Sequence, residues 1–336
     1  MKKKFKFTYN WALIVICLAL FVAFFIPNHK FLNLDSLKLT VEIAIMALPM
    51  TMLIIMGCID FSLCTIATLS AAVGGIVYNY THAALLGLLV SLLIGAMCGA
   101  FNGFMVARLK LPPLITTLAT MYLYKGIAKA ATLGSGYGTN VAETPVAHFL
   151  GGTTLLIPMQ LWLLVILAVG LHIVLSKTVY GRTLYAIGLN ENATRFAGIN
   201  VTLLKFLTYV MAGVIFSVAG QVLMGRFSTV QYDSADSYQM RVIIVCVLGG
   251  ANMSGGRGTI GGTLLGTAVL TLLISGMNGV ALPDTQQKIV LGMVLLISLI
   301  SFQLIAEHDL KAKGRARMAA AAAANAAKKH PADAGH

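Results

Sequence analysis

The sequence predicts an all-α, polytopic membrane protein of about ten transmembrane helices with both termini cytoplasmic, and three observations carry that prediction. Of 336 residues, 58% are hydrophobic and 10% are charged, with a mean hydropathy of +0.86. That is more apolar surface than one soluble core of this length can hide. Apolar segments close to the length that crosses a hydrocarbon core of about 30 Å recur along the chain. The basic residues gather in short clusters on alternate loops between those segments, the pattern of a positive-inside topology.

Ten segments follow in order: Trp11 to Ile26, Leu37 to Gly57, Phe61 to Tyr80, Ala83 to Ala107, Leu111 to Ala131, Leu155 to Leu175, Phe206 to Gly225, Ser237 to Gly250, Ile260 to Met277 and Gln286 to Ile305. The first follows the basic start MKKKFK, yet no small-x-small cleavage site comes after it, so it reads as a retained helix and not a signal peptide. The second carries Lys38, Glu42 and Pro49, and the eighth is short; these are the two least regular of the set. With Lys2, Lys3 and Lys4 inside, ten crossings bring Arg108, Lys110, Lys177, Arg182, Arg195, Lys205, Arg257, Lys311, Lys313, Arg315 and Arg317 to the same side. The other side receives few basic residues, near the acids Glu143, Asp233 and Asp284.

Residues 1–310 thus form one transmembrane domain, and 311–336 an alanine-rich, basic cytoplasmic tail with nothing to bury and a charge suited to membrane lipid. The glycine- and threonine-rich stretch from Thr132 to Pro158 is expected to lie across the outer face. The net charge of +13 is spread over loops and not over one face of a soluble domain, which argues against nucleic acid as a partner. Five cysteines, Cys17, Cys58, Cys64, Cys98 and Cys246, all lie in apolar segments without metal-ligand spacing and read as small core residues. Two ladders, Gly95-Gly99-Gly103 and Gly258-Gly262-Gly266, put glycine on one helix stripe, where backbones can approach closely.

No catalytic constellation is present: the seven histidines show no H-E-x-x-H spacing, and no G-x-S-x-G elbow occurs. The run from Gly256 to Thr263 imitates a phosphate loop but has Gly262 where the lysine must stand. Met253 to Arg257 imitates the signature of an ABC ATPase without an ATPase domain around it, so an energy source would be another chain.

The most informative pair of segments is Gly57-Cys58-Ile59-Asp60-Phe61-Ser62 and Gly249-Gly250-Ala251-Asn252-Met253-Ser254. Both end an apolar helix with glycine, place Asp or Asn two residues before Ser, and lead into another helix. Broken helices of this kind leave backbone groups that line transport paths. A carboxylate inside a membrane segment is costly, so Asp60 is expected either to cap the next helix or to contact a solute. Polar positions within or beside apolar segments, Glu42, Asp60, Ser62, Asn102, Gln221, Asn252 and Asn278, are the candidate substrate path, because a hydroxyl-rich ligand needs donors and acceptors.

The longest polar interruption runs from residue 176 to 205. Within it Asn190 suits an N-cap, Glu191 the first turn, and Gly198 a left-handed end to a helix of two turns, with Ala193, Phe196 and Ala197 on one stripe. The run Gly188 to Asn200 resembles the cytoplasmic coupling loop of ribose-type ABC importer permeases, within the monosaccharide and branched-chain amino acid superfamily, where N-E-E-A-A-R-x-x-G-I-N is expected. Here it reads Asn190-Glu191-Asn192-Ala193-Thr194-Arg195-Phe196-Ala197-Gly198-Ile199-Asn200, departing at Asn192 and Thr194. MGCIDFSLCTIATLSAA is similar to the G-G-I-D-L-S-V-G segment of the same family, departing at Cys58 and Cys64, and VLGGANMSGGRGTIGGTLLG to its late glycine-rich segment.

The resemblance implies a permease subunit in the bacterial inner membrane that moves a simple sugar or related polar solute. It implies a second permease subunit, identical or not, a cytoplasmic ABC ATPase that holds ATP and Mg and docks on residues 190–196 and 198, and an extracytoplasmic sugar-binding protein. This chain itself would bind no cofactor. An ion-coupled secondary transporter is the alternative reading, with Glu42, Asp60, Lys125 and Lys129 as its few titratable intramembrane groups.

Overall fold

One of the two helices whose sequences are least regular for a membrane is enclosed by four others. In the computed structural model, which describes residues 2–26, 34–135, 141–154, 157–283, 285–298 and 300, helix α2 spans Leu34–Ile55 and is enclosed along most of its length. It follows α1, Lys2–Phe25. Next come α3, Leu63–Thr81, and α4, Ala84–Gly103, which passes directly into a π-helical turn, Phe104–Arg108. Helix α5 is Pro113–Gly134. A small cap follows, made of strand β1, Val141–Ala142, helix α6, Pro145–Gly151, and the hairpin β2, Thr153–Thr154, with β3, Ile157–Pro158. The second half contains α7, Met159–Lys177, α8, Val179–Leu189, α9, Glu191–Phe196, α10, Val201–Phe227, strand β4, Thr229–Val230, α11, Tyr238–Leu248, α12, Ile260–Gly279, and α13, Thr285–Ser298. The described residues up to Leu291 pack as one compact unit, and the division from the next falls at Gly292, within α13.

Each of the ten expected segments contains a helix among the described residues, and six are both long and apolar enough to cross a membrane. The differences lie at the ends. The seventh starts at Val201 because Asn200 caps it, its side chain accepting from the Leu203 amide at 3.0 Å. The twelfth helix starts at Ile260, capped by Thr259, so Gly258 lies in the preceding loop at φ 151° and not on the helical stripe with Gly262 and Gly266. The basic tail at 311–336 lies outside the described residues.

Helix α2 tolerates Lys38 and Thr51 because both are answered inside the protein. The Lys38 ammonium donates to the Gly151 carbonyl at 3.1 Å. Beside Pro49, which has no amide hydrogen to give, Thr51 donates to the Ala47 carbonyl at 2.8 Å and shares a 2.6 Å bond with Thr263. Around α2 stand α7, α10, α11 and α12, and α10 also packs along α4 and α3. The first glycine ladder explains how closely: a Cβ on Gly95 or Gly99 would overlap the carbonyl of Gly213 or Tyr209 on α10. Gly266 meets the backbone of α11 at Val245, and Gly262 that of its C-cap Gly249, in the same way. Cys58, Cys64, Cys98 and Cys246 are buried, and Cys17 is half-buried.

The described residues between Thr132 and Pro158 form more than a simple loop. Thr144 caps α6 by accepting from the Ala147 amide at 3.1 Å, β1 pairs antiparallel with β4, and α6 packs on the end of α10 where Gly225 meets Ala147. This cap lies at the C-terminal end of α10. The π-helical turn, α8, α9 and the loop before α12 gather toward its other end, and Arg108, Arg195, Lys205 and Arg257 lie on elements that meet there.

Candidate functional site

Helix α9 forms as its sequence predicts. Asn190 accepts the Ala193 amide at 2.9 Å, Glu191 opens the first turn, and Gly198 follows the helix in the left-handed region at φ 80°. Thr194 turns inward, whereas Asn192, Ala193, Arg195 and Ala197 are exposed and Phe196 is 92% exposed. So short a helix needs outside support. Glu191 supplies it, accepting from Arg195 at 2.9 Å and from Lys205 of α10 at 2.6 Å. Partial burial pushes the Glu191 carboxyl up, but Lys205 and Arg195 together outweigh that and hold it below the ordinary carboxylate range.

Behind α9, the end of α8 meets both helix breaks. The Gly256 amide donates to the Ile55 carbonyl at 2.8 Å, giving the last turn of α2 a partner from the loop before α12. Gly188 fills the angle between them so closely that a Cβ there would overlap both the Ile55 oxygen and the Gly256 nitrogen. Tyr185 of α8 donates to the Gly258 carbonyl at 2.8 Å, and Tyr180 shares a hydrogen bond with Thr208 of α10. Three backbones therefore join at one point, one turn away from the exposed knob.

The two breaks use the same two devices. Gly57 and Cys58 donate back to Ile54 and Leu53, and Gly250 and Ala251 to Val247 and Cys246, each a Schellman ending with glycine at positive φ. Asp60 then accepts the Ser62 amide at 2.7 Å, and Asn252 the Ser254 amide at 3.1 Å, each an Asx-turn. The Asx residue stands three positions after the left-handed glycine in the first break and two in the second. This corrects the N-cap expectation for Asp60. The N-cap of α3 is Ser62, which makes no side-chain cap bond, and Asp60 binds Ser62 instead of the first-turn amides.

Asp60 is 1% exposed and has three donors: the Ser62 amide, the Ser62 hydroxyl at 2.6 Å, and the Asn102 amide at 3.3 Å. Asn102 also donates to Ser62 at 2.7 Å and accepts from Tyr124 at 3.0 Å. The structure thus brings Asp60, Ser62 and Asn102 together as one buried network at the first break.

The other candidates lie apart. Glu42 of α2 is fully buried with its Oε1 2.6 Å from Arg226 Nε, an ion pair without hydrogen-bond alignment, while its Oε2 accepts from Tyr238 at 2.8 Å. Arg226 also donates to Tyr238, so the three residues join α2, α10 and α11 near the cap. Gln221 bridges Ser91 at 3.0 Å and Thr144 at 3.3 Å. Asn252 lies in the second break, and Asn278 accepts from Gln287 at 2.8 Å on an exposed part of α12. Arg226, Tyr238 and Tyr124 were not singled out from the sequence, and Gly188 only as the start of the run 188–200. An arginine directly after the apolar segment that ends at Gly225 was the available signal for Arg226.

A family model described as "Branched-chain amino acid transport system / permease component" matches residues 33–299. The chain is 34% identical over 292 residues to the ribose import permease protein RbsC of Escherichia coli strain K12, covering 86% of this chain and 89% of that protein. It is 32% identical over 309 residues to the L-arabinose transport system permease protein AraH of the same organism, covering 89% and 93%. To the autoinducer 2 import system permease protein LsrC of Photorhabdus laumondii it is 32% identical over 296 residues, covering 86% and 87%. No solved structure matches the chain.

Proposed function

Because the chain belongs to the branched-chain amino acid transport system / permease component family, we propose a working arrangement for it as the membrane-spanning subunit of an ATP-driven importer. The protein is a multi-pass ABC permease that translocates a simple sugar or related small polar solute. In the arrangement proposed, ten helices cross the bacterial inner membrane with both termini cytoplasmic, and a second permease subunit completes the path. An ATPase subunit carries ATP and Mg and docks on α9, and an extracytoplasmic binding protein delivers the solute at the cap.

One observation carries the mechanical part: α9 offers Phe196 to solvent while the end of the preceding α8 is wedged into both helix breaks. A large apolar ring held out on a short, pinned helix is a docking feature, since burial of that ring by a partner contributes about 1.5–3 kcal/mol. Movement of α9 by an ATPase would pass along α8 to Ile55 and Gly256, where α2 ends and the run into α12 begins. The network of Asp60, Ser62 and Asn102 adjoins the first of these breaks, and we assign it to the inner end of the path. Glu42, Gln221 and Asn278 have internal partners and serve to hold helices together, while Asn252 shapes the second break.

The test is solute uptake into proteoliposomes containing this chain, with the ATPase subunit and binding protein supplied separately. ATP-dependent uptake that stops when either is left out is expected. Uptake by this chain alone under an ion gradient would refute the reading.

A further inference from the structure

Helix α4 does not end in an ordinary α-helical turn. It widens into the π-helical turn Phe104–Arg108, in which the Leu109 amide donates to the Phe104 carbonyl at 3.2 Å, and Lys110 follows at φ 57°. Such turns recur at functional sites because the extra residue re-aims the side chains around them. Here it opens a groove of about 360 Å³ against the first turns of α10. Phe104, Leu203 and Phe206 form an apolar wall, and Arg108, Asn200 and Thr202 form a polar rim.

Three features say what fits. Phe104 is 47% exposed and Leu203 50%, and their neighbours Leu109 and Leu207 are exposed as well, so the wall continues onto a flank that must meet acyl chains. Arg108 and Lys110 are exposed and in no ion pair among the described residues. The acid carried by the adjoining loop, Glu191, is already held by Arg195 and Lys205, and α4, the π-helical turn, α5 and α10 contain none. A rim that carries Arg108, with Lys110 two residues beyond it, over an apolar wall at the end of a helix pair matches one phosphodiester headgroup with its tail lying along the protein.

We propose that this groove is a binding site for an anionic phospholipid. Its phosphate sits at Arg108, Lys110 and the Thr202 hydroxyl, and an acyl chain runs along Phe104, Leu203 and Phe206. Since Asn200 caps α10 and Thr202 lies in its first turn, with only residues 197–199 between Asn200 and the end of α9, the lipid braces the base of the coupling helix. The inference uses the permease reading only for the presence of a membrane, and its readout is independent of transport.

Native mass spectrometry tests it on the full chain extracted from vesicles of phosphatidylethanolamine and phosphatidylglycerol. The wild type is expected to retain phosphatidylglycerol in preference to phosphatidylethanolamine. R108Q with K110Q lowers that retention by about fivefold per charge removed, and Leu203→Asn lowers it with the charges intact. K177Q with R182Q, basic residues at the same end but outside the groove, leaves it unchanged. Equal retention of the two lipids by the wild type, or undiminished phosphatidylglycerol retention in R108Q with K110Q, overturns the proposal. Loss of ATPase co-purification in R108Q with lipid retention intact also overturns it, and makes the groove a protein-docking site.

Discussion

The amide of Gly256 and the carbonyl of Ile55, two hundred residues apart in sequence, form a 2.8 Å hydrogen bond that ties the end of α2 to the loop before α12. Gly188 lies against both atoms. The end of α8, one turn before the exposed helix α9, is therefore in backbone contact with the two points where membrane helices are interrupted.

Gly188→Ala should not be accommodated, because its Cβ overlaps backbone on two sides and neither neighbour is a flexible side chain. Membrane abundance or ATP-driven uptake is expected to fall severely. Gly126→Ala, in a helix with open space at its Cβ, should be neutral or stabilising by about 0.5–1 kcal/mol. Equal tolerance of the two, measured by abundance and thermal unfolding, would show that the junction is slack.

Phe196→Ala should leave abundance and thermal stability unchanged, since the ring is almost wholly in solvent. Co-purification of the ATPase should weaken by about tenfold or more. A mutant that retains its ATPase and solute-stimulated ATP hydrolysis at wild-type levels would remove α9 from the coupling path.

Asp60→Asn should be poorly tolerated despite its similar shape. Its new amide would face the Asn102 amide, and Asn102 cannot turn over without losing Ser62 and Tyr124. A cost of about 1–3 kcal/mol is expected. The exchange Asp60→Asn with Asn102→Asp restores a donor opposite an acceptor and should recover much of that loss in a thermal unfolding assay. No recovery would mean that the network is not what position 60 serves.

Arg226→Met should destabilise the protein by roughly 3–5 kcal/mol, because it leaves the fully buried Glu42 without its counter-charge, and Glu42→Gln by less, because Arg226 is only partly buried. The double variant should be markedly more stable than either single one. Additive losses in a double-mutant cycle would show that the two residues act independently.

Much of the architecture was legible in the sequence because it is local. Apolar length locates helices, and the cap of α9 is a matter of Asn190, Glu191 and Gly198 within nine residues of one another. The two interruptions were also visible, since glycine followed by Asp-x-Ser or Asn-x-Ser cannot continue an apolar helix undisturbed. What Asp60 does was less visible: an Asx-turn and an N-cap draw on the same residue type, and the choice depends on where α3 begins.

By itself, the sequence determined a chain of membrane helices with two glycine-led breaks and a short, capped helix carrying an aromatic residue in water, because periodicity, capping and bilayer thickness act over one or two turns. Only the tertiary structure decided that Glu42 pairs with Arg226, that Asp60 and Asn102 share one network, and that Gly188 lies between Ile55 and Gly256. In lipid these polar and backbone groups must find partners within the protein. Which partner they find depends on helices brought together from distant parts of the chain, and no local pattern records that.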